Sequence, residues 1–168
     1  KTHSFHRVVF RSAAKLAYPQ AQAAIDGNPD DSTGPILDTV LKPLWAGCVT
    51  SSTPDFKQWL IDRQIPNFSW SSQARGFFTD RAGRDKRDSA ELVNTWYSDK
   101  NFGRRDRAIE LAQRLGANPI HVALAYVLAQ PFPSIPLIGP RTLGELDDSI
   151  KAYGISLSPE DIAWLENG

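Results

Sequence analysis

Histidine is scarce in this 168-residue chain, with three in all, and His3 and His6 lie three positions apart near the start. On a helix or turn that spacing puts both imidazoles on one face, where they could hold a divalent metal. In an extended strand they would point to opposite sides. A bound Zn²⁺ takes about three protein ligands and lowers the pKa of its water to about 7, which is enough for hydrolysis. The remaining ligands would be a carboxylate (Asp26, Asp30 or Asp31), Cys48, or the same residues of a second copy. A basic tail with two solvated histidines is the plainer account, because H-x-x-H carries far less information than H-E-x-x-H. The third histidine, His121, falls in the first turn of an expected helix and reads as structural.

A second chemistry belongs to Gly139-Pro140-Arg141, between an apolar run and a helix start. Free backbone N–H groups and the helix dipole favour an anion there, and a guanidinium can grip a phosphate with two bonds. Ser71 and Ser72, at the end of a neighbouring strand, are expected to join that phosphate site. Scattered Arg and aromatic residues offer a third possibility. Arg81, Arg84, Lys86, Arg87, Arg104, Arg105 and Arg107 flank Trp96, Tyr97 and Phe102, a mixture suited to a nucleic-acid backbone with unpaired bases. The excess of cations there is modest, and a solvated charged loop explains it as easily.

The elements that must position these groups are legible in outline. Asn118 and Pro119 open a helix that runs through apolar residues on nearly every face to Ala129, and Pro131 and Pro133 stop it. Ser134 to Ile138 fits a short buried parallel strand. Thr142 and Glu145 form a capping box, with Leu143, Leu146 and Ile150 along one face of the following helix and Gly154 closing it. Upstream, a helix begins after Thr53-Pro54 and ends by Pro66, and residues 67–72 form a strand. Thr79 to Ser89 reads as a charged, mobile loop, Ala90 to Tyr97 as a helix, and Asp106 to Leu115 as a helix ended by Gly116.

Composition bounds the rest. Hydrophobic residues make up 41% of the chain, enough for a core, and the length suits one domain. Formal charge is zero but uneven: Lys1, Arg7, Arg11 and Lys15 have no acid among them, while the stretch from Glu145 onward is acidic. That asymmetry could form a pairing surface within one chain or between two. The single cysteine excludes an internal disulfide and fits a reducing cytoplasm. No apolar run is long enough to span a membrane and no signal peptide is evident, so a soluble, cytoplasmic protein is expected.

Two resemblances follow from particular motifs. PLIGPRTLGELDDSI resembles the last strand–helix unit of the aldo/keto reductases, FSWSSQARGFF the preceding strand and loop, and LAQRLGANPIHVALAYVLAQP the helix between. The likeness runs from about Trp45 to Gly168 and implies that Arg141 matches the Arg holding the 2′-phosphate of NADPH. The first half of that eight-unit barrel, with its Asp, Tyr, Lys and His tetrad, has no counterpart in these motifs, which argues against reductase activity. FHRVVFRSAAKLAYPQAQAAIDG, within residues 1–44, resembles a segment of ribonuclease II/R-type exoribonucleases that lacks the family's acidic cluster.

Together these readings predict a single compact domain over 1–168, fused near Leu44-Trp45. Its fold class is α/β, mostly helical: a remodelled fragment of a (β/α)8 barrel with two or three short strands and no closed barrel. Trp59, Trp70, Phe77 and Trp96 need new apolar surroundings, and a homodimer is expected in preference to a monomer. The expected function is metal-dependent hydrolysis of RNA or a small phosphodiester, with His3 and His6 on Zn²⁺ and Arg141, Gly139, Ser71 and Ser72 on phosphate. RNA carries its own nucleophile, so such a site needs few parts. The alternative is an inactive reductase remnant that binds NADPH or another phosphorylated ligand.

Overall fold

Helix–turn–strand punctuation sets the order of elements in the computed structural model, which describes residues 54–69 and 71–168. His3, His6, Asp26, Asp30, Asp31, Cys48 and Trp70 lie outside the described residues, as does the ribonuclease-like segment 1–44. Helix α1 (Pro54–Arg63) starts on proline and buries Phe56, Trp59 and Leu60. It ends where Gln64 turns left-handed at φ 52°, with the Gln64 amide donating to Ile61 O and Pro131 O. Strand β1 (Asn67–Ser69) follows, then a 3-10 turn at Ala74–Gly76.

A long helical crossover returns the chain to β1. Helix α2 (Ala90–Trp96) is capped by Ser89, and α3 (Asp99–Leu115) by Ser98. Gly116, at φ 63°, closes α3 in the left-handed conformation that glycine adopts without a Cβ clash. Helix α4 (Pro119–Leu128) is buried at six of its ten positions, as an apolar surface on nearly every face requires. Strand β2 (Ser134–Pro136) then pairs with β1 in parallel, Asn67 with Ser134, Phe68 with Ile135 and Ser69 with Pro136. Helix α5 (Leu143–Ile150), a 3-10 turn (Lys151–Gly154) and α6 (Pro159–Asn167) complete the order. The α/β, mostly helical fragment with an open sheet is therefore present as expected.

Both strands are shorter than the sequence suggests. Ser71 has φ 54°, which takes the chain out of extended conformation immediately past β1. The α3 helix is longer than expected, because the Ser98 cap starts it at Asp99, seven residues before Asp106, and Gly103 is tolerated inside. Leu143 and Ile150 do share a face of α5, but that face is exposed; the helix buries Ser149 instead.

The main core lies among the loop after β1, α2, α3, α4 and α6. Phe77, Phe78, Leu92, Trp96, Leu111, Val122 and Leu165 are fully or almost fully buried there. Phe77 packs against Phe78, Tyr97 and Phe102 with ring centroids 5.3 to 5.8 Å apart. Trp59, Phe77 and Trp96 thus find their apolar surroundings within this segment.

Charged residues fasten the periphery. Arg105 donates to the carbonyls of Phe77, Thr79 and Ala82, so the loop read as mobile is stapled to α3. Helix α6 is held by Arg107 on Leu165 O, Arg104 on Glu166 O and Arg114 on Asp161. Tyr126 donates to Glu166 at 2.5 Å, and Lys57 reaches the same oxygen at 3.1 Å. Burial and the carboxylate push the Tyr126 hydroxyl far above its ordinary pKa, keeping it a donor. The acidic tail therefore finds cations within the described segment. His121 and Lys151 meet on Asp148, tying α4 to α5: His121 Nε2 lies 3.1 Å and Lys151 Nζ 3.0 Å from Asp148 Oδ1.

Two measurements check this architecture. Arg105→Met should remove three charge-assisted bonds and lower unfolding free energy by about 1–3 kcal/mol in urea melts. Hydrogen exchange should also accelerate across residues 77–82. Asp148 is held below its ordinary pKa by hydrogen bonding from Lys151, with His121 assisting. A depressed carboxylate stabilises the fold above its unfolded pKa of roughly 4, and that contribution is lost as pH falls through the folded value. Asp148→Asn should therefore lower the melting temperature at neutral pH, and the difference from wild type should vanish in strong acid.

Candidate phosphate-binding site

The site follows from the parallel register. β1 and β2 run side by side, so both chains leave the sheet at the same end. In open parallel sheets this is where ligands are received. The Leu137 N–H donates to Ser69 O at 2.9 Å, and Ser72 Oγ donates to Leu137 O at 3.0 Å. These bonds lock the 71–76 loop against the chain leading to Gly139. Gln73 extends the tie to α5 by donating to Ser149 Oγ at 3.1 Å.

Within that mouth the four sequence-predicted residues have different roles. Ser72 is buried and spent on Leu137 O. Ser71 Oγ is buried with no hydrogen-bond partner among the described residues. A buried hydroxyl without a partner costs roughly 1–3 kcal/mol. Gly139 is exposed, and a Cβ there would meet nothing within 4 Å. Arg141 is largely solvent-exposed at the entrance to α5, whose N-cap Thr142 accepts the Glu145 N–H at 3.1 Å.

The expected capping box closes one residue early. Glu145 does not return to the Thr142 N–H; its Oε2 accepts the Arg141 N–H at 2.6 Å. Its Oε1 accepts Arg141 Nη2 at 2.8 Å and Nε at 3.2 Å. Those bonds raise the Arg141 pKa and lower that of Glu145, and the charge of Arg81 lowers the latter further. Arg81 itself donates to Arg75 O, which brings the post-β1 loop's positive charge toward α5. Sequence reading missed Gln73 and this use of Glu145, and it placed Arg81 with the basic–aromatic stretch instead of near α5. The i, i+4 spacing of Arg141 and Glu145 was the available signal.

Several cations of the basic–aromatic stretch are spent within the described segment. Arg104, Arg105 and Arg107 are engaged with main-chain carbonyls, and Arg84 pairs with Asp106 while lying over Phe102. Trp96 is buried and the Tyr97 hydroxyl is bonded to Lys86 O. No group of three or more His, Cys, Asp or Glu side chains among the described residues could hold a metal. No helix among them is long and apolar enough to cross a membrane.

Comparison with known proteins decides between the two functional readings. The chain is 33% identical over 99 residues to the uncharacterized oxidoreductase YrpG of Bacillus subtilis (strain 168), covering 59% of this chain and 30% of that protein. It is 28% identical over 113 residues to versiconal hemiacetal acetate reductase of Aspergillus parasiticus, covering 63% of this chain and 33% of the relative. Protein tas of Escherichia coli (strain K12) is 34% identical over 58 residues, 34% of this chain and 17% of the relative. The chain thus spans about a third of the length of the first two relatives.

These oxidoreductase relatives overturn the expectation of a zinc-dependent hydrolase, phosphodiesterase or ribonuclease, and equally the rejection of a reductase-type function. The hydrolase reading rested on scarce histidines and on elimination, neither of which is a geometric observation. Residues 55–167, two thirds of the chain, match the Aldo/keto reductase family, and the protein belongs to that family.

Proposed function

We propose that this chain binds the phosphate end of NADPH as part of an aldo/keto reductase-type site. The observation that carries the proposal is the meeting of two loops at one end of a parallel strand pair. One loop carries the orphaned Ser71 hydroxyl, the other Arg141 at a helix entrance. Family membership supplies the cofactor class, since aldo/keto reductases use NADPH.

The donor set suits a dinucleotide. Arg141 would take the 2′-phosphate through its forked N–H groups, helped by its own main-chain N–H and the positive end of α5. Ser71 would donate to another phosphate oxygen, and Gly139 would leave the adenosine an open approach. Ser72 and Gln73 would act indirectly, holding the post-β1 loop at Leu137 and Ser149. Bound NADPH would supply a hydride to a carbonyl carbon; these residues would bind and orient the cofactor. Reduction by the whole protein is part of the same proposal.

Titration of intrinsic tryptophan fluorescence with NADPH tests it. Saturable quenching is expected, and Arg141→Ala should weaken the affinity about tenfold or more by removing a charge-assisted fork. No response up to millimolar NADPH would sink the proposal.

A further inference from the structure

The anion position at the α5 entrance already has an occupant. Glu145 takes three donors that a phosphate monoester would use: the Arg141 main-chain N–H and two guanidinium N–H groups. The geometry is that of an internal ligand. The carboxylate reaches back over one helical turn, and its own N–H is separately bonded to Thr142 Oγ1, so capping does not require the side chain to be there. Hydrogen bonds from Arg141 hold the Glu145 carboxyl below its ordinary pKa.

We propose that Glu145 is a specificity-determining residue, an intramolecular anion that competes with the ligand's 2′-phosphate for Arg141. This rests on the dinucleotide-binding reading above. A 2′-phosphate must displace the carboxylate or sit beside it, and two anions sharing one guanidinium repel each other. A ribose 2′-hydroxyl carries no charge and can donate to the carboxylate in place. Glu145 therefore narrows the preference for NADPH over NADH that Arg141 alone would create. Neighbouring charge does not cancel the effect, because Arg81 attracts the carboxylate and the incoming phosphate alike.

Parallel titrations of wild-type protein, Glu145→Gln and Glu145→Ala with NADPH and with NADH test the assignment. Circular dichroism confirms that α5, whose Thr142 cap is untouched, remains folded. Both substitutions should raise the NADPH-to-NADH affinity ratio at least about fivefold, as loss of an exposed competing charge implies. The gain should fall mainly on NADPH and shrink as salt is added. If both cofactors bind and the ratio is unchanged or moves toward NADH, Glu145 has no such role while the cofactor reading stands. If neither cofactor binds any of the three proteins, both inferences fail together.

Discussion

Three residue pairs of parallel ladder hold everything functional in this segment in place. A short parallel pairing is weak by itself, since its hydrogen bonds are slanted and few. It persists because α4, apolar on nearly every face, packs against β2 and α3 and leaves the strands little freedom to shift. A slip of one residue would turn Asn67 and Ser69 outward and Phe68 inward. The polar residues form the inner line here: Asn67 donates to Ser69 Oγ, which lies 3.3 Å from Ser134 Oγ. Phe68 and Ile135, paired in register, form the outer line and are half-exposed. That inversion of the usual alternation fixes register through hydrogen bonding as much as through burial.

Once the register is set, electrostatics organises the two ends of the segment differently. At the α6 end, arginines spend their N–H groups on main-chain carbonyls and on Asp161, and the result is mechanical. Lys57 from α1, Tyr126 from α4 and Arg104 from α3 converge on one residue of the last helix. At the α5 end the Arg141–Glu145 pair is solvated, and among the described residues the guanidinium hydrogen-bonds to Glu145 alone. A pair of that kind adds little to stability. Its effect is on what the helix entrance can accept, which is why a fold-level view of salt bridges would overlook it.

The sequence readings that failed share a cause. Arg104, Arg105 and Arg107 look alike in a string of letters. Whether a guanidinium meets solvent or a carbonyl depends on which loop packs on α3, and spacing along the chain does not contain that. The charged loop at 79–89 looked mobile for the same reason, because its fastening comes from Arg105, more than twenty residues away. The exposed face of α5 has a different origin. Leu143, Leu146 and Ile150 have the period of a core stripe, but Leu143 and Ile150 are exposed while Ser149, bonded to Gln73, is the buried position.

The sequence by itself determined the caps, the breaks and the family. Ser89, Ser98, Asn118 and Thr142 start helices, while Gly116 and the Pro131–Pro133 pair end them, because these signals act within a few residues and need no tertiary partner. The turn from Gly139 to Arg141 into the helix start at Thr142 was legible on the same local grounds. Tertiary structure alone decided which hydroxyl of Ser71 and Ser72 is left without a partner, and which cations are spent on carbonyls. It also decided that Glu145 bonds to Arg141 and not to its own cap. These outcomes are competitions among groups brought together by the β1–β2 register, and their winners are set by distances that no short stretch of sequence encodes.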